Sequence, residues 1–133
     1  MNMKIKAIIE RGSDGGYTAF SDSVPMVYAN GMTEEEVRHE FLQMMQEQAA
    51  YVEQNSGEAP AWKDAQVEFV YAVSAVFAAF PFINVSSLAE WMGINPSLMR
   101  KYKAGLAVPR GKNREIIQRG ISLMAERLSQ VSI

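Results

Sequence analysis

The chain has 133 residues, of which 48% are hydrophobic, 21% charged and 10% aromatic. This apolar content is too high for a disordered chain, and the length suits one ordinary domain or two small ones. Because the sequence holds no cysteine and one histidine, it excludes disulfide frameworks, thiolate zinc sites, iron–sulfur clusters, cysteine nucleophiles and sites built from several histidines.

Charge is distributed unevenly along the chain. Residues 1–73 hold five basic and twelve acidic groups, a net charge of −7, whereas residues 74–133 hold eight basic and three acidic groups, a net charge of +5. This asymmetry favours a polyanionic partner for the basic half and either solvent or a basic partner for the acidic half. Chance surface charge is the alternative.

The sequence contains no recognisable targeting signal. Residues 1–10 lack an apolar core of signal-peptide length, and the longest weakly polar run, residues 69–83, is shorter than the ~20 residues that span a bilayer. We therefore expect a cytoplasmic protein without a membrane segment, and the absence of cysteine suits a reducing compartment.

The acidic half begins with a pattern of β-strands. Apolar and polar residues alternate over residues 4–10, the turn at residues 13–16 contains two glycines, and residues 17–20 resume as a second strand. This pattern predicts a hairpin. Residues 27–30 predict a shorter third strand.

A helix with a strong start signal follows. Thr33 and Glu36 form a capping box, and the helix is predicted to end before residues 55–57. Apolar residues at steps of three and four predict its buried face: Val37, Phe41, Met44, Met45 and Val52. Residues 67–71 predict a last strand, so the order is β-β-β-α-β.

Candidate chemistry in this half is weak. His39 lies on the polar side of the helix among glutamates, where a metal or acid–base role competes with a solvated helix face. We expect the solvated face, because one imidazole with flexible surface carboxylates binds metals poorly. The acidic residues near strand ends have no spacing that brings two carboxylates onto one metal: Glu10, Asp14 and Asp22. We predict no catalysis, no metal and no cofactor.

The basic half contains a more specific pattern. Residues 84–105 predict a short helix, a tight turn and a second short helix. Gly93 occupies the turn, where another residue would be strained, Asn95 can cap the second helix, and Pro96 stands at its first position. This spacing matches a helix-turn-helix.

The first helix of this motif has its own expected contacts. Ser87 with Glu90 predicts a capping box, and Trp91 is expected to be buried by the final helix. Five residues are expected to face the shared core: Leu88, Met92, Ile94, Met99 and Tyr102.

The second helix has a polar face without an acidic side chain. Amide, hydroxyl and guanidinium groups on such a face suit insertion into the major groove of DNA. Arg100 is the expected guanine contact, and Ser97 or Asn95 would lie at the DNA backbone or at an adenine. Lys101 and Lys103 are expected at phosphates. A helix-turn-helix that serves only protein packing is the alternative.

Three further cations, Arg110, Lys112 and Arg114, lie before the predicted final helix and are expected to contact the DNA backbone. Within that helix, apolar residues recur at steps of four and three: Ile117, Ile121, Met124, Leu128 and Val131. This stripe predicts either a dimer seam or a face packed on the helix-turn-helix.

Together these patterns predict an α+β fold. A small β-β-β-α-β domain over residues 1–73 is followed by an all-α helix-turn-helix domain for DNA binding and dimerisation over residues 74–133. Residues 74–80, which are small and apolar, are predicted as the first helix of the second domain.

The chain resembles the HicB antitoxins. The resemblance rests on the opening strand at Met3–Ala7, the second strand at Gly16–Phe20, the helix start at Thr33–Val37 and the helix-turn-helix that follows. It covers nearly the whole chain, with four landmarks: Gly16, Leu88, Ala89 and Gly93. The family's second strand commonly leads into an Asp/Leu-Pro-Gly-Cys-like stretch, of which Asp22–Met26 keeps the acid and the proline.

The resemblance implies two macromolecular partners. The first domain would be a reduced ribonuclease-H-like domain without working catalytic carboxylates, which binds and blocks a small basic HicA-like toxin that cleaves RNA. The second domain would bind double-stranded operator DNA and repress its own operon, as a homodimer or higher oligomer that places two recognition helices about 34 Å apart. A −7 domain also suits a basic partner.

Two other functions compete with the antitoxin. A stand-alone transcription regulator would sense a small ligand with its N-terminal domain. An enzyme of the ribonuclease H type would cleave an RNA/DNA hybrid with a bound metal, and the missing carboxylate cluster argues against it.

Overall fold

Strands lie in the first half of the chain and helices dominate the second. The computed structural model describes residues 3–12 and 14–133. Its elements, in chain order, are β1 (Lys4–Arg11), β2 (Tyr17–Ser21), β3 (Val24–Gly31), α1 (Glu34–Ser56), β4 (Gln66–Tyr71), α2 (Val73–Ala79), α3 (Val85–Met92), α4 (Pro96–Ala104) and α5 (Gly111–Ser129). They form two compact units, the first over Met1–Ala79 and the second over Phe80–Ile133.

The first unit is built on a four-stranded sheet in the order β3-β2-β1-β4. β1 and β3 pair antiparallel with β2, and β4 pairs parallel with β1. In the turn between β1 and β2, Gly15 takes a φ of 90° and Asp14 Oδ1 accepts a hydrogen bond from the Gly16 N–H at 3.1 Å. The predicted hairpin is therefore confirmed, although Ser13 of the predicted turn lies outside the described residues.

Helix α1 covers one face of this sheet. Thr33 Oγ1 accepts the Glu36 N–H at 3.1 Å, and the Glu36 carboxylate accepts the Met32 N–H at 2.9 Å, which confirms the predicted start of the helix. Gly57 closes α1 with a φ of 83°. The side chains that α1 buries against the sheet are Val37, Phe41, Met45 and Ala49. Amphipathic spacing thus supplies the core of the first unit.

The predicted fold class is wrong, because helix α2 belongs to the first unit. Ala72 donates its backbone N–H to the Ile9 carbonyl at 2.9 Å, and Ala75 is fully buried in the same core as Ile9 and Phe41. The chain is a mixed α+β protein with three strands, α1, a fourth strand and then helices. It is not a β-β-β-α-β domain followed by an all-α domain from residue 74. The boundary lies after Ala79.

The physical reason is the composition of α2. Its seven residues carry no charge and most are small, so the segment has no polar face to show which core it would join. Small side chains such as Ala75 let the helix approach the sheet closely. Helix α2 therefore packs into the nearest available core.

Strand β3 contains a bulge with an unusual backbone. Ser21 pairs with Val24 whereas Phe20 pairs with Tyr28, so residues 25–27 are extra on the β3 side. Within this bulge Met26 has a φ of 70°, and its side chain is 85% exposed. A residue with a Cβ atom is strained in this region, where glycine is not.

Met26→Gly is therefore expected to raise the free energy of unfolding of the first unit by about 0.5–1 kcal/mol. Relief of the left-handed strain, about 1–2 kcal/mol, exceeds the extra entropy that glycine loses on folding. Chemical denaturation measures the change. Met26→Ala is the matched control, because it removes the exposed side chain but keeps the strain; equal stabilisation by both variants would contradict the explanation.

Candidate nucleic-acid interface

The second unit is built on α3, a tight turn and α4. The α3 cap is Asn84, whose Oδ1 accepts the Ser87 N–H at 3.0 Å. The predicted capping box of Ser87 and Glu90 is wrong, because Asn84 caps the helix one turn earlier. Gly93 ends α3 with a φ of 82°, which confirms its predicted place in the turn.

The turn is closed by a backbone hydrogen bond and a small core. The Ile94 N–H donates to the Ala89 carbonyl at 2.9 Å, and both side chains are buried. The buried apolar side chains of the second unit are Val85, Leu88, Ala89, Ile94, Met99, Tyr102, Pro109 and Ile117. Four of the five predicted core residues are among them, so the motif is packed as the sequence predicts.

Two details of this core differ from expectation. Met92 is only half-buried, and it lies against Gly120 of α5, where an added Cβ would come within 2.5 Å of the Met92 Cε. Gly120 therefore permits a close approach of α5 to α3. Trp91 remains 46% exposed, so the prediction that α5 buries it is wrong.

The start of α4 uses the side chain that was predicted to cap it. Asn95 Oδ1 accepts the Ser97 N–H at 2.8 Å and the Leu98 N–H at 3.3 Å, and Pro96 occupies the first helical position. A bidentate contact with adenine needs both the carbonyl and the amino group of an asparagine. Because the Asn95 carbonyl is engaged in the cap, this geometry does not suit a bidentate contact with adenine.

The two faces of α4 differ sharply. Met99 and Tyr102 are buried in the core of the second unit. The predicted DNA contacts on and beside α4 are all exposed: Asn95, Ser97, Arg100, Lys101 and Lys103. No acidic residue lies between Pro96 and Ala104. The exposed side of α4 is therefore a hydrogen-bonding and cationic surface, which a major groove can accept.

Arg100 is held in place by two serine hydroxyls. Its Nη1 donates to Ser86 Oγ of α3 at 2.9 Å, and its Nη2 donates to Ser97 Oγ at 3.0 Å. A guanidinium fixed in this way loses less conformational freedom when it forms a bidentate contact. No signal in the sequence distinguishes Ser86, which lies 14 positions before Arg100.

The start of α5 places further cations in the second unit. Arg110, Lys112 and Arg114 are exposed, and Arg110 precedes α5 without a side-chain capping bond. Asn113 donates from Nδ2 to the Tyr102 hydroxyl at 3.1 Å, which ties the first turn of α5 to α4. The cations of α5 and the exposed face of α4 are therefore parts of one packed unit.

The second unit has a cationic surface that its own acids do not neutralise. Residues 80–133 carry eight basic and three acidic groups, a net charge of +5. Within residues 3–12 and 14–133, the one salt bridge joins Lys63 to Glu53 of the first unit at 3.0 Å. The predicted DNA contacts therefore keep their charge available for phosphates.

The first unit brings no comparable group together. His39 is exposed on α1, and the described residues contain no cluster of three histidine, aspartate or glutamate side chains that could hold a metal ion. Burial and the negative charge of Glu34 raise the pKa of Tyr17 above its usual 10.0, so this phenol stays neutral at physiological pH. A hydrogen bond to Glu53 raises the pKa of Lys63.

Helices in the described part of the chain lack the combined length and apolar character that crossing a bilayer requires. Comparison of the sequence with models of protein families and with curated proteins, and of the fold with solved structures, finds no match.

Proposed function

We propose that this protein is an antitoxin and autorepressor: its second unit binds operator DNA as a homodimer or higher oligomer, and its first unit binds and neutralises a small basic HicA-like toxin that cleaves mRNA. The observation that carries the proposal is Arg100, held between Ser86 and Ser97 on the exposed face of α4. An arginine fixed on a cationic helix-turn-helix suits recognition of a guanine edge. Because both proposed partners, operator DNA and an mRNA-cleaving toxin, act in the cytoplasm, we assign the protein to the cytoplasm.

The DNA contacts divide by chemistry. Arg100 reads a base, whereas Lys101 and Lys103 contact phosphates. Beyond α4, the DNA backbone is contacted by three further cations: Arg110, Lys112 and Arg114. Phosphate contacts position the protein without reading sequence, and base contacts supply specificity.

Charge supports the assignment of the toxin to the first unit. Residues 1–79 carry five basic and twelve acidic groups, a net charge of −7. A basic protein is attracted to such a surface, which speeds its association and disfavours nucleic acid as a partner of this unit.

One stretch of the chain departs from the HicB pattern. The family's second strand commonly leads into an Asp/Leu-Pro-Gly-Cys-like stretch, of which Asp22–Met26 keeps only the acid and the proline. Met26, which follows Pro25, takes a φ of 70°, a region that glycine favours.

The test uses an adjacent reading frame that encodes a short basic protein. Expression of that protein alone is expected to arrest growth, co-expression of the full chain is expected to restore it, and the two proteins are expected to co-purify. The Arg100→Ala variant should still restore growth but should repress an operon reporter less than wild type does. A neighbouring protein that neither harms cells nor binds the chain would refute the antitoxin. A ligand-dependent thermal shift without a protein partner would instead favour a small-molecule regulator.

A further inference from the structure

The loop between α4 and α5, residues 105–110, exposes two apolar side chains. Leu106 is 79% exposed and Val108 is 70% exposed, and we call this pair the apolar tip. Side chains so exposed contribute little burial energy to the unit that carries them, so packing within the unit does not explain them. The apolar tip shares no residue with the eight predicted DNA contacts.

The charge around the apolar tip is of one sign. Residues 91–114 contain six basic residues and no acidic one. Lys103 precedes the tip in the last turn of α4, and Arg110 follows it at the start of α5. A surface of this charge attracts a polyanion. The group that the tip contacts should therefore be an apolar part of a polyanion.

The way α4 ends explains why Leu106 is exposed. The Leu106 N–H donates to the Lys101 carbonyl at 2.9 Å, and the Gly105 N–H donates to the Tyr102 carbonyl at 3.1 Å, which together form a Schellman motif. The residue at the position of Leu106 commonly packs on an apolar side chain in the last turn of the helix. Here the corresponding residues are Lys101 and Arg100, so the leucine side chain stays in solvent.

The loop is anchored at its other end as well. Pro109 is buried, and as the residue before a proline Val108 is restricted to extended backbone. Asn113 Nδ2 donates to the Tyr102 hydroxyl at 3.1 Å, which fixes the start of α5 against α4. The apolar tip is therefore presented in a defined place, and contact with a partner costs little conformational freedom.

The length of α4 places the loop at the edge of the major groove in the proposed complex. A recognition helix contacts base edges with its N-terminal residues. The nine residues of α4 make it about 13 Å long, whereas the major groove is about 12 Å wide. The C-terminal end of α4, and the loop that follows it, therefore meet the sugar–phosphate backbone rather than the bases.

We infer that the apolar tip packs against deoxyribose rings of the DNA backbone, beside the phosphates that Lys103 and Arg110 contact. This inference rests on the proposed DNA-binding function and deepens it, because it adds an apolar contact that reads no sequence to the charged contacts already assigned. The sugar carbons are the apolar surface that lies between successive phosphates, so one backbone segment satisfies both the cations and the tip.

Binding of the full chain to two duplexes tests the contact: DNA from upstream of its own coding region, and a random duplex of the same length. Leu106→Ala is expected to weaken binding to both duplexes by about tenfold, the effect of about two buried methylene groups. The slope of log K against log salt should stay unchanged, because no phosphate contact is lost. Val108→Ala should act in the same direction with a smaller factor.

Two matched variants control for side-chain size and for truncation itself. Leu106→Met keeps the apolar surface of the tip and should bind both duplexes within about twofold of wild type. Leu42→Ala makes the same truncation at an exposed position of α1 and should leave DNA binding unchanged.

Three results would overturn the contact with deoxyribose. The first is unchanged binding by both Leu106→Ala and Val108→Ala. The second is a loss confined to the upstream duplex that disappears when deoxyuridine replaces thymidine, since it would assign the tip to thymine methyl groups. The third is a loss accompanied by a shallower salt dependence, which would mean that the variant displaces a cation.

The same titrations separate this inference from the proposed function. If wild type binds the upstream duplex and Arg100→Ala relaxes its base preference while Leu106→Ala and Val108→Ala bind normally, the inference alone fails. If wild type binds neither duplex, the DNA-binding function fails and the inference fails with it.

Discussion

Met99→Ala is expected to abolish DNA binding without impairing the binding of a basic partner, and Phe41→Ala is expected to have the opposite effect. Both side chains are fully buried, Met99 in the core of the second unit and Phe41 beneath the sheet of the first. Truncation of a buried methionine costs about 2–5 kcal/mol and that of a buried phenylalanine about 3–5 kcal/mol. Losses of this size approach the whole stability of a small domain.

The two tryptophans allow each unit to be monitored by itself. Trp62 is buried in the first unit and Trp91 lies on α3 of the second. Trp62→Phe leaves Trp91 as the fluorescent reporter of the second unit, and Trp91→Phe leaves Trp62 for the first. In chemical denaturation, Met99→Ala should shift the midpoint reported by Trp91 and leave the midpoint reported by Trp62 nearly unchanged.

Leu106→Ala is the control for truncation, because Leu106 is exposed beyond α4. This variant should change the free energy of unfolding of neither unit by more than about 0.5 kcal/mol. If both buried-residue variants lowered both midpoints equally, the two units would unfold as one. The assignment of separate partners to separate units would then lose its physical basis.

Arg100→Ala is expected to weaken binding to the preferred operator by about 1–3 kcal/mol and to relax the choice of base at one position of each half-site. Lys101→Ala should instead weaken all sequences alike and reduce the slope of log K against log salt by about 1, because it removes one phosphate contact. Titration of operators that carry each base in turn, at several salt concentrations, distinguishes the two. Equal binding by wild type and both variants would show that α4 is not the recognition helix.

The serine that supports Arg100 provides a finer test. Ser86→Ala removes the hydroxyl that accepts from Nη1, so the guanidinium is held by Ser97 alone. Half-site affinity should fall by about 0.5–1.5 kcal/mol, the value of one hydrogen bond, with some loss of base preference. Ser87→Ala changes the adjacent exposed hydroxyl, which does not contact Arg100, and should leave half-site binding unaltered.

Local chemistry explains why much of the motif could be predicted. The cap by Asn95, the proline at the first position of α4 and the left-handed Gly93 each depend on residues within one helical turn. Local signals also carry risk. The Ser87 and Glu90 pair fitted a capping box, yet Asn84, three residues earlier, caps α3.

Contacts between distant residues could not be predicted. Trp91 fits a buried position by residue type, but its exposure depends on how closely α5 packs along α3. The pairing of Arg100 with Ser86 joins two helices across the turn, and nothing distinguishes Ser86 from its neighbour in the sequence. Met26 shows no sign of a positive φ in its residue type, because the register of β2 and β3 creates the bulge.

The sequence by itself determined the periodic elements, the helix caps and the division of charge into an acidic and a basic part, because each depends on composition or on neighbours along the chain. Only the tertiary structure decided that α2 belongs to the sheet, which overturned the predicted division into a β-β-β-α-β domain and an all-α domain. An uncharged segment of small residues fits either core, and its place is decided by which buried surface it meets in three dimensions.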